Sequence, residues 1–461
     1  MIEVIEVINP ARWSEIVGRI PACSEADVDR ALDQAHSAFK TWSRTTAGER
    51  ASRLSDAARD LRNALPELAT LFVRENGKPL HEAEIDIRRS IELMEIIAAD
   101  LPEWSKPAVV DPRQSVWARR RARGVTAVIS PWNSPVLLSF KRFVPAIASG
   151  NTAVVKPARY CPLAISECAR IINRHLPNGV LGVVTGSGAV IGERLATDER
   201  VRAIAFTGST ETGRRIMQLA SGTVKKVFLE LGGNDAAIVL RDAKLNDDAI
   251  ARMTHAILRA SGQVCIAIKR IYVHESRLDE LVEKLARSFD RIVVGDGLAP
   301  ETTMGPLNNK PQFDFVNGLL EKCHRKGLTV MTKGRKLSSA NWNEGFFILP
   351  SIVLRANDDD DVVVCEQFGP VIPVMPFADE DDAIGRANNT LYGLRASVWT
   401  EDRQAAEAMA DRIEAGAVFL NNHGIFRDLH IEFPGIKQSG FSRDSRSAAL
   451  DHYADTYGFA D

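Results

Sequence analysis

The stretch Ser261-Gly262-Gln263-Val264-Cys265-Ile266 places one thiol between two apolar residues, just after a Gly-Gln pair. Glycine at 262 lets the backbone turn tightly and approach a ligand closely. The apolar neighbours suggest a site largely shut off from bulk water. A thiol held there is a nucleophile once something takes its proton. Taken alone, Cys265 reads more readily as a core cysteine, because free cysteine packs as a small hydrophobe. The question is whether the chain supplies what a reactive thiol needs.

The chain has 461 residues, of which 45% are hydrophobic and 26% charged. That suits a globular protein of two or three domains at a prior of ~150 residues each. A formal net charge of -2 gives no electrostatic basis for attraction to nucleic acid or membrane. The run Arg119-Arg120-Arg121-Ala122-Arg123 is the local exception, read as strand-face charges or subunit contacts. Six scattered cysteines lack CxxC spacing, so neither zinc nor a disulfide framework is expected, and no metal site is assigned. A reduced, cytoplasmic setting fits best. No leader pattern opens the chain, and no apolar run approaches ~18 residues.

Residues 24 to 101 read as helices. Ser24 with Asp27 resembles a capping box, and Thr46 with Glu49 repeats the signal. Pro66 opens another helix and Gly77 ends it. Val109 to Arg123 reads as a hairpin turning at Asp111-Pro112. From Val125 short apolar runs alternate with helices: Val125-Ser130, Thr152-Lys156, Gly182-Thr185, Ala203-Thr207 and Ala236-Leu240 are strand candidates. This predicts α/β architecture with a parallel, doubly wound sheet, whose ligands bind at the carboxyl ends of the strands. Those ends hold Pro131-Trp132-Asn133, Lys156-Pro157 and Thr207-Gly208-Ser209. The last opens a helix, where free N–H groups and the helix dipole favour a pyrophosphate; an ordinary βα turn is the equal alternative. A second αβ unit follows Cys265. The run Asp358-Asp359-Asp360-Asp361 is read as a solvated turn, and residues 451–459 as an edge strand.

Seven motifs, taken in order, resemble the aldehyde dehydrogenase superfamily over nearly the whole chain. They are Ser130-Pro131-Trp132-Asn133-Ser134-Pro135, Val155-Lys156-Pro157, Phe206-Thr207-Gly208-Ser209, Leu229-Glu230-Leu231-Gly232-Gly233-Asn234, Gly262-Gln263-Val264-Cys265, Glu366-Gln367-Phe368-Gly369-Pro370 and Lys437-Gln438-Ser439-Gly440. The resemblance implies a dinucleotide-binding domain (residues 1–105 and 124–232) and a catalytic domain (233–430). It also implies an oligomerisation unit, made of the hairpin 106–123 and the tail 445–461. It implies a homodimer or homotetramer as well.

By the same resemblance Cys265 is the nucleophile that adds to an aldehyde substrate, and Asn133 is an oxyanion donor beside the Cys265 N–H. Glu230 is the base that takes the thiol proton through water and activates the hydrolytic water. NAD or NADP is the implied cofactor. Lys156 would bond the adenosine ribose, and Gly208 and Ser209 the pyrophosphate. Glu366 would hold the nicotinamide ribose, with Phe368 packed nearby and Trp132 shaping the pocket. Three positions depart from the family pattern. Arg159 stands where a glutamate often repels a 2′-phosphate, so NADP is expected to be accepted. Ala260 replaces a frequent asparagine. Glu432-Phe433-Pro434-Gly435 replaces Pro-Phe-Gly-Gly near the substrate entrance, preceded by His423, Arg427, Asp428 and His430, which either meet a polar substrate tail or form a surface loop. The competing readings are a coenzyme A-acylating relative, a thiol esterase using Cys265 alone, and a catalytically silent scaffold.

Overall fold

A computed structural model of the protein describes residues 3–111, 116–424, 434–442 and 446–460. Four helices, Glu25–Trp42, Ala47–Asn63, Leu65–Asn76 and Leu80–Trp104, follow an N-terminal hairpin (Val4–Asn9 with Arg12–Pro21) that the sequence did not announce. The Ser24–Asp27 capping box is present in both directions, and Thr46 accepts from the Glu49 N–H. Gly77, at φ 95°, ends the third helix.

Five parallel strands form one sheet in the order 181–183, 152–156, 125–129, 201–207, 226–230. Alternate residues face opposite sides. Val128, Val155 and Ala205 join the core beneath the helices Ala47–Asn63 to Leu163–Ile172, whereas Ala127, Val154 and Ile204 join that beneath Glu25–Trp42 and Thr210–Ser221. Both faces are thus covered, which is the doubly wound arrangement expected. The strand Lys226–Glu230, which carries Glu230 at its end, is an addition to the sequence reading.

A seven-stranded sheet runs 329–332, 351–354, 371–377, 268–274, 235–239, 396–399, 418–420, parallel except for its first pair. It too is buried on both faces, with Ala237 and Ile271 in one cluster and Ile238 and Tyr272 in another. The third sheet pairs the tail strand Ala454–Ala460 with Val116–Ala122, itself paired with Ala108–Asp111. Here the arginine run ties the tail to the hairpin. Arg119 and Arg121 lie 4.6 Å and 4.9 Å from the Phe459 and Tyr457 ring centres, and Arg120 and Arg123 pair with Asp451 and Asp455. The acidic run is not a purely solvated turn: Asp360 is 3% exposed, held by Lys326 and the Asn357 N–H.

Candidate active site

The helix Asp247–Leu258 ends seven residues before Cys265, and three successive residues then turn left-handed: Ala260 (φ 49°), Ser261 (φ 59°) and Gly262 (φ 76°). Such a run is held by its surroundings, since a non-glycine residue in this region costs about 1–2 kcal/mol. The Ala260 N–H donates to Glu82 at 2.9 Å and Ser261 Oγ to the Gly305 carbonyl at 2.9 Å. Gln263 bonds the Ala260 carbonyl and accepts the Asn308 N–H, both at 2.9 Å. A Cβ at position 262 would stand 2.3 Å from the Gly369 carbonyl oxygen, so glycine alone fits there. Lys269 closes the turn from below, donating to the carbonyls of Val264 (3.0 Å) and Cys265 (2.5 Å).

Three other segments converge on this turn. Asn133 follows the strand Val125–Ile129 and is 6% exposed; its Nδ2 donates to the Gln263 carbonyl at 2.9 Å. An amide has a second N–H, which remains for another acceptor. The Trp132 carbonyl accepts from Asn76 at 2.8 Å, and the Trp132 ring meets Phe368 edge-on at 5.4 Å.

Glu230 ends its strand and bridges to Gly440. The N–H groups of Phe441 and Ser442 both reach the Leu229 carbonyl, and Leu231 N–H reaches Ser439. The motif around Lys437–Gly440 therefore fixes the strand end that carries Glu230. Its carboxylate accepts from Arg142 Nη2 at 2.8 Å, and Arg142, 2% exposed, also reaches Ser442 Oγ at 3.2 Å. The sequence reading missed Arg142. The available signal was a cation inside the apolar helix Pro135–Ala148, since a buried charge needs a partner.

Glu366 lies over Gly232 and Gly233. It accepts the Gly233 N–H at 3.1 Å and stands 3.6 Å from the Lys269 ammonium. Asn234 holds this segment by donating to the Val363 carbonyl at 2.8 Å, and Gln367 by donating to the Lys269 carbonyl at 3.0 Å. The motifs around Glu230, Cys265 and Glu366 are thus bonded to one another.

The surroundings of the thiol oppose its ionisation. Burial pushes Cys265 up to about 12, and the carboxylates of Glu230, Glu366 and Asp235 push the same way, against Lys269. Any chemistry here needs proton removal within the site.

The remaining residues lie at the carboxyl ends of the five-stranded sheet. Lys156 is 5% exposed; its ammonium reaches the Pro157 carbonyl at 3.3 Å, and burial brings it down to about 8. A buried ammonium so sparsely bonded, at the carboxyl end of its strand, fits the hydroxyls of a dinucleotide. Ser209 caps the helix Thr210–Ser221 through Thr212, and the Gly208 N–H donates to the Glu230 carbonyl at 3.1 Å, linking the start of that helix to the strand end that carries Glu230. Arg159 is exposed, 5.9 Å from the Tyr160 ring centre. The turn Gly186-Ser187-Gly188, after the strand Leu181–Val183, leads into a short helix ending at Gly192, next to the Lys156 side chain; the sequence reading passed over it.

His423 does not lie on a surface loop. Its side chain is buried, bonded to Ser397 Oγ at 2.9 Å and 3.6 Å from Asp235. Arg427, Asp428, His430, Glu432 and Phe433, expected at the substrate entrance, lie outside the described residues. Among the described residues no cluster of His, Cys, Asp and Glu is arranged to hold a metal, and no helix is long and apolar enough to cross a membrane.

A half-buried thiol, an amide donor and a carboxylate are gathered beside a doubly wound sheet. The model of the aldehyde dehydrogenase family matches residues 2–457, and the chain belongs to that family. The mitochondrial aldehyde dehydrogenase of Leishmania tarentolae is 36% identical over 459 residues, covering 98% of this chain and 90% of that one. Among solved structures, an NADP-dependent enzyme of E. coli superposes with a TM-score of 0.93 at 32% identity, covering 100% of this chain and 95% of its own. A cysteine-to-alanine mutant of aldehyde dehydrogenase C from Pseudomonas syringae, in complex with NAD+ and octanal, gives 0.93 at 31% identity, covering 99% and 93%. The protein is an NAD(P)-dependent aldehyde dehydrogenase.

Proposed function

We propose that the protein oxidises an aldehyde to the carboxylic acid through a covalent adduct on Cys265. The observation that carries this reading is the convergence on one thiol of Asn133, bonded to the nucleophile's own turn, and Glu230, whose charge bears on the sulfur. An aldehyde does not readily give up hydride, but its thiohemiacetal does. Glu230 takes the Cys265 proton through a water, and the sulfur adds to the carbonyl carbon. The second Asn133 N–H and the Cys265 N–H stabilise the oxyanion; one such donor is typically worth ~2.7–4 kcal/mol. The bound nicotinamide supplies the hydride acceptor. Glu230 passes the thiol proton on to solvent and then activates a second water against the resulting thioester; that water's proton goes to the departing sulfur, releasing the acid and restoring the thiol.

Lys156 would bond the adenosine ribose, Gly208 and Ser209 the pyrophosphate, and Glu366 the nicotinamide ribose. Trp132 and Phe368 would wall the pocket. Residues 1–105 and 124–232 would serve the dinucleotide, and 233–430 the chemistry. The sheet formed by the hairpin and tail would join subunits into a homodimer or homotetramer. Six free cysteines agree with a reducing, cytoplasmic setting.

An aldehyde panel with NAD and NADP, following reduced-cofactor absorbance, tests this beside Cys265→Ala. Turnover unaffected by that substitution would reject it. Turnover that requires coenzyme A and yields acyl-coenzyme A rather than the acid would favour the acylating branch instead, which the presence of Glu230 argues against.

A further inference from the structure

Lys269 has no part in the chemistry above, yet it sits between its two halves. It follows Cys265 by four residues on the strand Ile268–His274, and its side chain is 2% exposed. On one side its ammonium holds the carbonyls of Val264 and Cys265; on the other it lies 3.6 Å from Glu366. A buried ammonium persists only with partners that offset its lost hydration. Those partners are the nucleophile's loop and the carboxylate over Gly233.

We propose that Lys269 is a positioning residue that ties occupancy of the cofactor site to the reactivity of the Cys265 thiol, by sharing its ammonium between the nucleophile's loop and Glu366. This rests on the reading that Glu366 turns to the nicotinamide ribose once cofactor binds. The charged groups bearing on the thiol are Glu230, Glu366 and Asp235, which oppose its ionisation, and Lys269, which favours it. Without cofactor, Glu366 largely matches the Lys269 charge. When Glu366 engages ribose hydroxyls it moves off Lys269, and the ammonium stays on the Cys265 carbonyl as a less matched cation. The thiol loses an opposing carboxylate and gains a stronger cation in the same movement. It is therefore idle when no hydride acceptor is present and reactive when one is.

The test reads the thiol rather than turnover. The rate of alkylation of Cys265 by iodoacetamide, followed by the mass of its peptide, is measured at pH 8 without cofactor, with NAD and with NADP. In the wild type, cofactor speeds alkylation. Lys269→Met slows the cofactor-free rate about tenfold and removes most of the cofactor-induced acceleration, and Lys269→Arg restores both. Glu366→Gln speeds the cofactor-free rate and abolishes further acceleration; it decides the matter should the methionine variant fail to fold. A wild-type rate that cofactor leaves unchanged overturns the proposal. So do wild-type rates in the glutamine variant. Cofactor affinity, from tryptophan fluorescence, separates this from the reading beneath it. Unchanged affinity in Glu366→Gln removes the ribose role of Glu366. Weakened affinity with an unaltered cofactor-free rate removes the coupling alone.

Discussion

Arg142 donates from Nη2 to Glu230 Oε2 at 2.8 Å, so the carboxylate assigned as base is one half of a buried ion pair. The guanidinium reaches Glu230 and Ser442 together, and Ser442 belongs to the segment that fixes the Glu230 strand. Arg142 therefore aims the carboxylate. Truncating one member of a buried pair is destabilising, by about 3–5 kcal/mol in general. Arg142→Met is expected to lower the melting temperature. A well-placed base contributes roughly 10²–10⁴ in rate, so kcat should fall at least about tenfold with cofactor affinity unchanged. Arg142→Lys keeps the charge without the fork and should recover part of kcat. Equal kcat in all three proteins would show that the pair is structural only.

Gly262 faces a different constraint from its two left-handed neighbours. At φ 76° an alanine Cβ would lie 2.3 Å from the Gly369 carbonyl oxygen and 3.1 Å from the Pro370 nitrogen. Backbone must move, and the segment that moves carries Glu366 and Phe368. Gly262→Ala should cost on the order of 1–3 kcal/mol from backbone strain, with the clash in addition, and remove most activity. Ala260→Gly, at φ 49°, relieves a left-handed alanine and should stay within about 1 kcal/mol of the wild type. Chemical denaturation of the two variants side by side gives the comparison; an alanine at 262 that folds as stably as the parent contradicts it.

The candidate site was legible in the sequence through resemblance, since seven motifs in order named Cys265, Asn133 and Glu230 where none of them stood out by its own spacing. What escaped depends on long-range pairing. Arg142 and Glu230 are 88 residues apart, and nothing local pairs them. Lys269 looks like an ordinary strand residue until Glu366 is brought beside it. The strand Val371–Phe377 was hidden by Pro373 and Pro376, which normally argue against a central strand. Here it lies between 351–354 and 268–274, because parallel ladders bond through alternate residues and tolerate a proline whose nitrogen is not called on.

Glu75 supplies a stability prediction away from the chemistry. It is 0% exposed, and its two oxygens accept the Leu163 and Ala164 N–H groups, both at 2.8 Å, at the start of the helix Leu163–Ile172. Burial outweighs these bonds and raises the carboxyl from 4.5 to about 8. The folded chain then holds a proton that the unfolded chain releases between about pH 4.5 and 8. A raised acid contributes no penalty below that window, and stability declines as pH rises through it, by up to about 1.4 kcal/mol per pH unit. Glu75→Gln removes the titration and should flatten the wild-type decline between pH 5 and 8, whatever its absolute stability. Parallel denaturation midpoints across that range would mean that the folded carboxyl is already ionised.

Arg159 makes cofactor choice testable with one substitution. It is exposed three residues beyond Lys156, whose ammonium lies in the proposed ribose site. An exposed guanidinium there meets no charge in NAD but pairs with the 2′-phosphate of NADP, and a glutamate would both repel that phosphate and accept from the ribose hydroxyls. The wild type is expected to use NADP at least as well as NAD. Arg159→Glu should lower kcat/KM for NADP by about ten- to a hundredfold, in line with roughly 1.5–3 kcal/mol for a charged hydrogen bond, and raise or preserve that for NAD. Arg159→Ala separates lost attraction from added repulsion and should fall between the two. A strong NAD preference in the wild type, retained unchanged in Arg159→Glu, would place the guanidinium in solvent with no part in the choice.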